Sequence, residues 1–274
     1  MKLLKIEEIQ DILIELMQEV HKFLREKEIP YYMLGGSTLG AVRHGGFIPW
    51  DDDIDIGMLR KDYEKFLSCA HEFSANYDIA NYRFTKNCDH CLTRIYVKNT
   101  CMDAKSIRNT KLDKRLYFDI FPIDVVPKDK EERDKFEKKI LSKKRLIGYI
   151  DARIYNSSFL SKVAKNIISF ILRPFRKTIL KKTEKIMRKY EKQETGLVCS
   201  LCSQYRFSKQ VMPIETYGKP QLMKFEDDEY FVPEKTDQYL TTLFGEDYMV
   251  VPPVEKRRKG YPIYIIEENE CQKS

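Results

Sequence analysis

Four aspartates within five positions, Asp51, Asp52, Asp53 and Asp55, end the run GGSTLGAVRHGGFIPWDDDIDIG at residues 35–57. Packed carboxylates repel one another and are best stabilised by a shared cation. Oxygen donors select hard ions, and Mg²⁺ or Mn²⁺ leaves coordination positions open for water and phosphate oxygen. Ile54 and Ile56 alternate with Asp53 and Asp55, which predicts a strand that buries the isoleucines and presents the carboxylates on its other face. On that alternation Asp52 faces away from Asp51 and Asp53, either supporting the metal ligands from behind or facing solvent. Upstream, Gly36 and Ser37 at a predicted helix start offer backbone N–H groups and a hydroxyl to a polyphosphate. A cation at Asp53 and Asp55 would meet that phosphate from the other side, and a third carboxylate is then required. Asp119, between Phe118 and Ile120 in LYFDIFPID, can complete the metal site or take a proton from an attacking hydroxyl. A calcium-binding EF-hand loop would need further oxygen ligands where Ile54, Ile56, Gly57 and Met58 stand.

The elements that must position these groups are readable in outline. Ile6, Ile9, Leu13, Leu16, Val20 and Leu24 keep the three-four spacing of an amphipathic helix ended by Pro30. Residues 31–34 read as a short buried strand, and Ser37 as the cap of a helix over 38–43. After the acidic strand come a helix at 61–73 and strands at 77–84, 92–97 and 117–120. Residues 129–192 read as two or three helices, interrupted at Gly148, at 156–158 and at Pro174. Short strands, turns and a helix at 236–244 follow. The fold class is α+β, in one composite domain: an N-terminal helix and core (1–126), a helical insertion (127–192) and a C-terminal part completing the fold (193–274).

Of 274 residues, 42% are hydrophobic, enough for a packed core. The opening MKLLKIEEIQ lacks the apolar stretch of a secretory signal, and IISFIL at 167–172 is too short to span a bilayer, so a cytoplasmic protein is expected. The net charge of +7 is concentrated: residues 128–192 carry 21 Lys/Arg against 8 Asp/Glu. Basic and aliphatic residues interleave there without a nucleic-acid reader motif. That favours peripheral contact with the inner membrane face or an anionic lipid-linked acceptor, through Lys162, Lys165, Arg173 and Arg176, over nucleic acid; a solvated basic face is the alternative. Seven cysteines, an odd number, point to free thiols. Cys88 with Cys91, and Cys199 with Cys202, have the spacing of zinc ligands, but residues 198–202 also read as a strand with small buried thiols.

Gly-Ser turn, Asp-x-Asp strand and later single Asp together form the pattern of the nucleotidyltransferase superfamily. The longer wording GGSTLGAVRHGGFIPWDDDIDIGM, then YFDIFPID and FGEDYMVVPPVEKR, resembles the LicD family of phosphotransferases, to which the catalytic domains of fukutin and fukutin-related protein are similar. The match is strong over 31–124 and weak over 230–258. It implies a nucleotidyltransferase-like mixed sheet flanked by helices. It also implies transfer of a phosphorylated alcohol from a CDP-alcohol donor, typically phosphocholine from CDP-choline, onto a sugar hydroxyl of teichoic acid, capsule or lipopolysaccharide. Asp51, Asp53 and Asp55 match the family's acidic triplet, and Asp119 its later carboxylate. Arg43 and His44 match an Arg-His pair, a cationic site for the diphosphate with His44 alternatively a loop brace. Trp50 is a base- or headgroup-stacking candidate or a packing anchor, and Lys256 to Lys259 are a phosphate clasp or a solvated turn. Two other readings stand beside this one: nucleotide transfer with release of pyrophosphate, and a non-catalytic glycan- or lipid-binding protein.

Overall fold

A computed structural model describes residues 1–86, 88–102, 113–150, 167–257 and 260–266. The predicted first helix is α1 (Ile6–Glu26), whose face of Ile9, Leu13, Leu16, Met17, Val20 and Leu24 is buried. It stops before Pro30, at Lys27, and Glu28 turns the chain with φ of 52°. Strand β1 (Lys2–Leu3) precedes it, and β2 (Tyr32–Met33) follows as a shorter strand than expected.

The next element departs from expectation. Helix α2 spans Gly35–His44 and has Leu34, not Ser37, at its N-cap. Gly35 makes this possible with φ of +53°, a backbone state that costs glycine little. Ser37 thus sits inside the first turn. The acidic run leads into β3 (Asp55–Leu59), so Asp51 to Asp53 precede the strand rather than belong to it. Helix α3 covers Arg60–Cys69, with a tight turn Ala70–Glu72 taking up the remainder of the expected span.

Strands β4 (Tyr77–Ala80), β5 (Thr93–Val97), β6 (Thr100–Met102) and β7 (Tyr117–Val125) come next. β7 runs five residues beyond its predicted end because Phe121, Ile123 and Asp124 are also buried. The main sheet has seven strands, with the order β2-β3-β7-β5-β4; β8 (Leu197–Cys199) pairs with the far end of β7, and β9 (Met212–Pro213) with β8. Only β3 and β7 pair in parallel; the other neighbours are antiparallel, giving a mixed sheet. Hairpin β10 (Gln221–Phe225) and β11 (Asp228–Val232), and a three-stranded sheet in which β12 (Ile263–Ile265) lies between β1 and β6, cover the α1 side.

In the basic region α4 (Lys130–Ile150) runs through Gly148 without a break, and α5 (Arg176–Met187) follows the turn Arg173–Phe175 at Pro174. Residues 156–158, Lys162 and Lys165 lie outside the described residues. Arg176 is 5% exposed, so packing removes it from the expected surface contact. A buried ion network secures α5 to the sheet. Arg60 chelates Asp124 through two bonds of 2.7 Å and reaches Glu184 at 3.2 Å, while Arg83 links Glu64 (2.7 Å) to Glu184 (2.8 Å) and Tyr82 donates to Glu184. Helix α6 (Thr236–Phe244) coincides with its predicted span and packs against α2. No helix among the described residues is long and apolar enough to cross a membrane.

Candidate active site

The parallel register sets Asp55 of β3 directly opposite Asp119 of β7. Neither strand alone brings two carboxylates to one level; the pairing does. Both residues, with Asp53, line a cavity of about 350 Å³ whose other walls are Arg94 and Tyr117 from the sheet, residues 89–92, Lys144, Ile147 and Gly148 of α4, Thr183 and Met187 of α5, and the 202–205 turn. Burial, then the charges of Asp53, Asp119 and Asp51, push the Asp55 carboxyl well above the usual carboxylate range. Such crowding is relieved by a proton or by a cation.

Arg94 supplies one positive charge to this cluster. Its Nε donates to Asp119 Oδ1 at 2.7 Å, a second nitrogen reaches Oδ2 at 3.4 Å, and the guanidinium lies 4.0 Å from the centre of the Tyr117 ring. Burial opposes its charge, and the attraction of Asp119 outweighs that, raising its proton affinity. Sequence reading missed Arg94; a lone Arg between Thr93 and Ile95 of an apolar strand was the available signal. His90 beside it donates Nδ1–H to the Leu92 carbonyl at 2.9 Å, and burial followed by the Arg94 charge takes its imidazole down to about 3. At neutral pH it is uncharged, and its 3.6 Å approach to Asp89 is no ion pair.

Asp51, Asp52 and Asp53 form a second grouping, with one oxygen from each within 4.8 Å of the others. This overturns the expectation that Asp52 faces away from Asp51 and Asp53. Alternation applies to strands, and these three precede the strand, so the chain can bring their carboxylates together. Asp52 also packs closely against Gly260, where a Cβ would lie 2.0 Å from Oδ2. Asp53 belongs to both groupings. The donor set is all carboxylate oxygen, shared by a loop and two strands, and fits a hard divalent ion.

The remaining predicted residues divide. Ser37 is buried, and its Oγ accepts the Asp55 N–H at 2.9 Å; its own N–H and that of Thr38 donate to the Leu34 carbonyl. These contacts hold the start of the acidic strand. Gly36 is needed for space: a Cβ there would lie 2.7 Å from Asp51 Oδ2. Arg43 donates to the carbonyls of Tyr248 (2.9 Å) and Val250 (3.2 Å), and neither it nor His44 lines the cavity. His44 meets Trp50 edge-on, with ring centres 6.4 Å apart, while Arg257 lies 4.1 Å over the Trp50 ring. That face of Trp50 is occupied by Arg257. Lys256 is exposed, and residues 258–259 are outside the described set.

The four cysteines of ligand spacing join one core cluster around Val126, Phe136 and Leu180. Among the described residues the only group of three or more metal-type side chains with converging ligand atoms is Asp51, Asp52 and Asp53. Burial raises the thiols of Cys91, Cys199 and Cys202, the last to about 12, which favours the protonated form over the thiolate that zinc requires.

Residues 28–147, which contain every carboxylate of the cluster, match the LicD/FKTN/FKRP nucleotidyltransferase domain. The lipopolysaccharide cholinephosphotransferase LicD of Haemophilus influenzae is 29% identical over 284 residues, covering 94% of this chain and 96% of the relative. Residues 28–147 belong to the LicD family. Over shorter spans, the human ribitol 5-phosphate transferase FKRP is 53% identical across 34 residues, 12% of this chain and 7% of its own length. The mouse ribitol-5-phosphate transferase FKTN is 33% identical across 58 residues, 21% of this chain and 13% of its own. The LicD domain match ends within α4, so α5 and the 202–205 turn bring cavity walls from beyond it.

Proposed function

We propose that this protein transfers a phosphorylated alcohol from a CDP-alcohol, phosphocholine from CDP-choline being the leading case, onto a sugar hydroxyl of a cell-surface glycan such as lipopolysaccharide, capsule or teichoic acid. The observation that carries the reading is the convergence of Asp53, Asp55 and Asp119 on a cavity with room for a phosphate group. On a nucleotidyltransferase-like sheet these residues, supported by Asp51, would hold Mg²⁺ or Mn²⁺. Bound there, the ion would neutralise phosphate oxygens and polarise the bond to the leaving group.

The chain's own groups set the rest. Arg94 fixes the orientation of Asp119, and Ser37 holds the Asp55 backbone. Gly36 leaves space for Asp51. The acceptor oxygen forms its bond to the phosphorus bearing the alcohol, the bond from that phosphorus to the bridging oxygen breaks, and CMP leaves. The hydroxyl proton passes to a carboxylate of the cluster. Incubation with a panel of CDP-alcohols and Mg²⁺ tests the reading: CMP release dependent on one alcohol supports it. Pyrophosphate release from a nucleoside triphosphate supports nucleotide transfer instead, and full activity in Asp53→Asn refutes the site.

Peripheral contact with the cytoplasmic membrane face belongs to the same reading. Phe170, Ile171 and Phe175 are 82%, 57% and 57% exposed, and Lys177, Lys181, Lys185 and Lys189 line one groove directly after them. Apolar side chains beside a lysine row suit an anionic bilayer surface. Sedimentation with anionic vesicles that is unchanged by Lys181→Glu with Lys185→Glu would remove this part.

A further inference from the structure

Of the 21 basic residues between 128 and 192, one lines the carboxylate cavity among the described residues: Lys144 of α4. The other full cation in that lining, Arg94, is engaged with Asp119. Lys144 donates its Nζ to the Ser203 carbonyl at 2.7 Å, and among the described residues it has no carboxylate partner within ion-pair distance. Its surroundings are the 202–205 turn and the thiols of Cys91, Cys199 and Cys202. Burial accordingly pulls the ammonium below the usual lysine range. A partly desolvated cation that donates to a neutral carbonyl gains from an anion entering beside it.

The ligand class follows from the two signs of charge in the cavity lining. Asp53, Asp55 and Asp119 of the lining repel a bare anion, while Lys144 of the same lining attracts one. A phosphate accompanied by a divalent cation satisfies both, because its several oxygens can face the cation and the ammonium at once. We propose that Lys144 is a phosphate-binding residue of this cavity, so that the basic helix α4 contributes directly to the site instead of serving the surface alone. The inference rests on the phosphotransfer reading for the identity of the substrate, and on the cavity alone for the binding of phosphate. A lysine suits the role: its ammonium is a compact charge on a flexible stem and can follow a phosphoryl group between donor and acceptor.

The test uses the full chain with Mg²⁺ and inorganic pyrophosphate, followed by calorimetric titration. Lys144→Gln keeps a donor for the Ser203 carbonyl and removes the charge; Lys144→Arg keeps the charge; Lys139→Gln changes an exposed lysine of the same helix. Pyrophosphate affinity is expected to fall by about 10- to 100-fold in Lys144→Gln, the range of one hydrogen bond to a charged group. Lys144→Arg is expected to retain most of the affinity and Lys139→Gln all of it. Wild-type and Lys144→Gln proteins binding pyrophosphate equally, or a wild type that does not bind it, would overturn the proposal. Should Lys144→Gln melt too low for titration, acetylation of Lys144 in the wild type decides: protection by pyrophosphate supports the role, and equal labelling overturns it. CMP release separates the two readings. Pyrophosphate binding through Lys144 without turnover of any CDP-alcohol would refute the function and keep the phosphate site. Turnover with kcat and KM unaffected by Lys144→Gln would refute the site and keep the function.

Discussion

Replacing Arg94 with Gln probes the electrostatic balance of the cavity. Arg94 Nε stands 2.7 Å from Asp119 Oδ1 and a second nitrogen 3.4 Å from Oδ2, which puts the charge centres about 4 Å apart. At an effective dielectric of about 20 that pair is worth about 4 kcal/mol. A net loss of about 3 to 4 kcal/mol follows, which for a chain of this size is a fall in Tm of roughly 6 to 16 °C. Melts followed by circular dichroism, with and without saturating Mg²⁺, measure it. The variant should recover more stability from Mg²⁺ than the wild type does, since a bound cation supplies the charge that Arg94 gave up. A loss under about 1 kcal/mol, or the same loss with and without Mg²⁺, would refute the reasoning.

Three further outcomes are expected. Gly36→Ala places a Cβ 2.7 Å from Asp51 Oδ2 and should raise the Mg²⁺ requirement of CMP release about tenfold, while the melt shifts by only about 1 kcal/mol because alanine favours the helix. Arg60→Met leaves Asp124, 1% exposed, without its chelating partner and should cost about 3 to 5 kcal/mol in urea unfolding. His90 is held neutral when folded, with its imidazole near 3, but takes a proton at about 6.5 when unfolded. The unfolded state then binds more protons below pH 6.5, so this contribution to stability is complete above that pH and is lost toward pH 3, at up to about 1.4 kcal/mol per pH unit. Denaturant midpoints at several pH values should show a shallower acid slope in His90→Gln.

How far the chain could be read from its residues depended on the range of the interactions involved. The apolar stripe of α1 and the span of α6 are fixed by neighbours three and four positions away, and they were legible. The acidic alternation correctly put Ile54 and Ile56 inside, both 0% exposed. It misjudged Asp52, because periodicity gives no sign of where a strand starts. Ser37 looked like a cap by type, yet a left-handed Gly35 lets the helix begin earlier and sends the Ser37 hydroxyl to the Asp55 N–H. Gly148 looked like a break, but the i to i+4 bonds of α4 tolerate a glycine facing open space.

By itself the sequence determined which side chains carry charge and which faces are apolar, and its long motif carried the family. Those are properties of residue type and short spacing. The tertiary structure decided which charges meet. Asp55 and Asp119 are 64 positions apart and face each other only through the parallel register of β3 and β7. Arg94 reaches Asp119 because β5 pairs on the other side of β7, and Lys144 enters the same cavity because α4 packs over it. Coulomb forces and desolvation act over a few ångströms in space, whatever the separation along the chain.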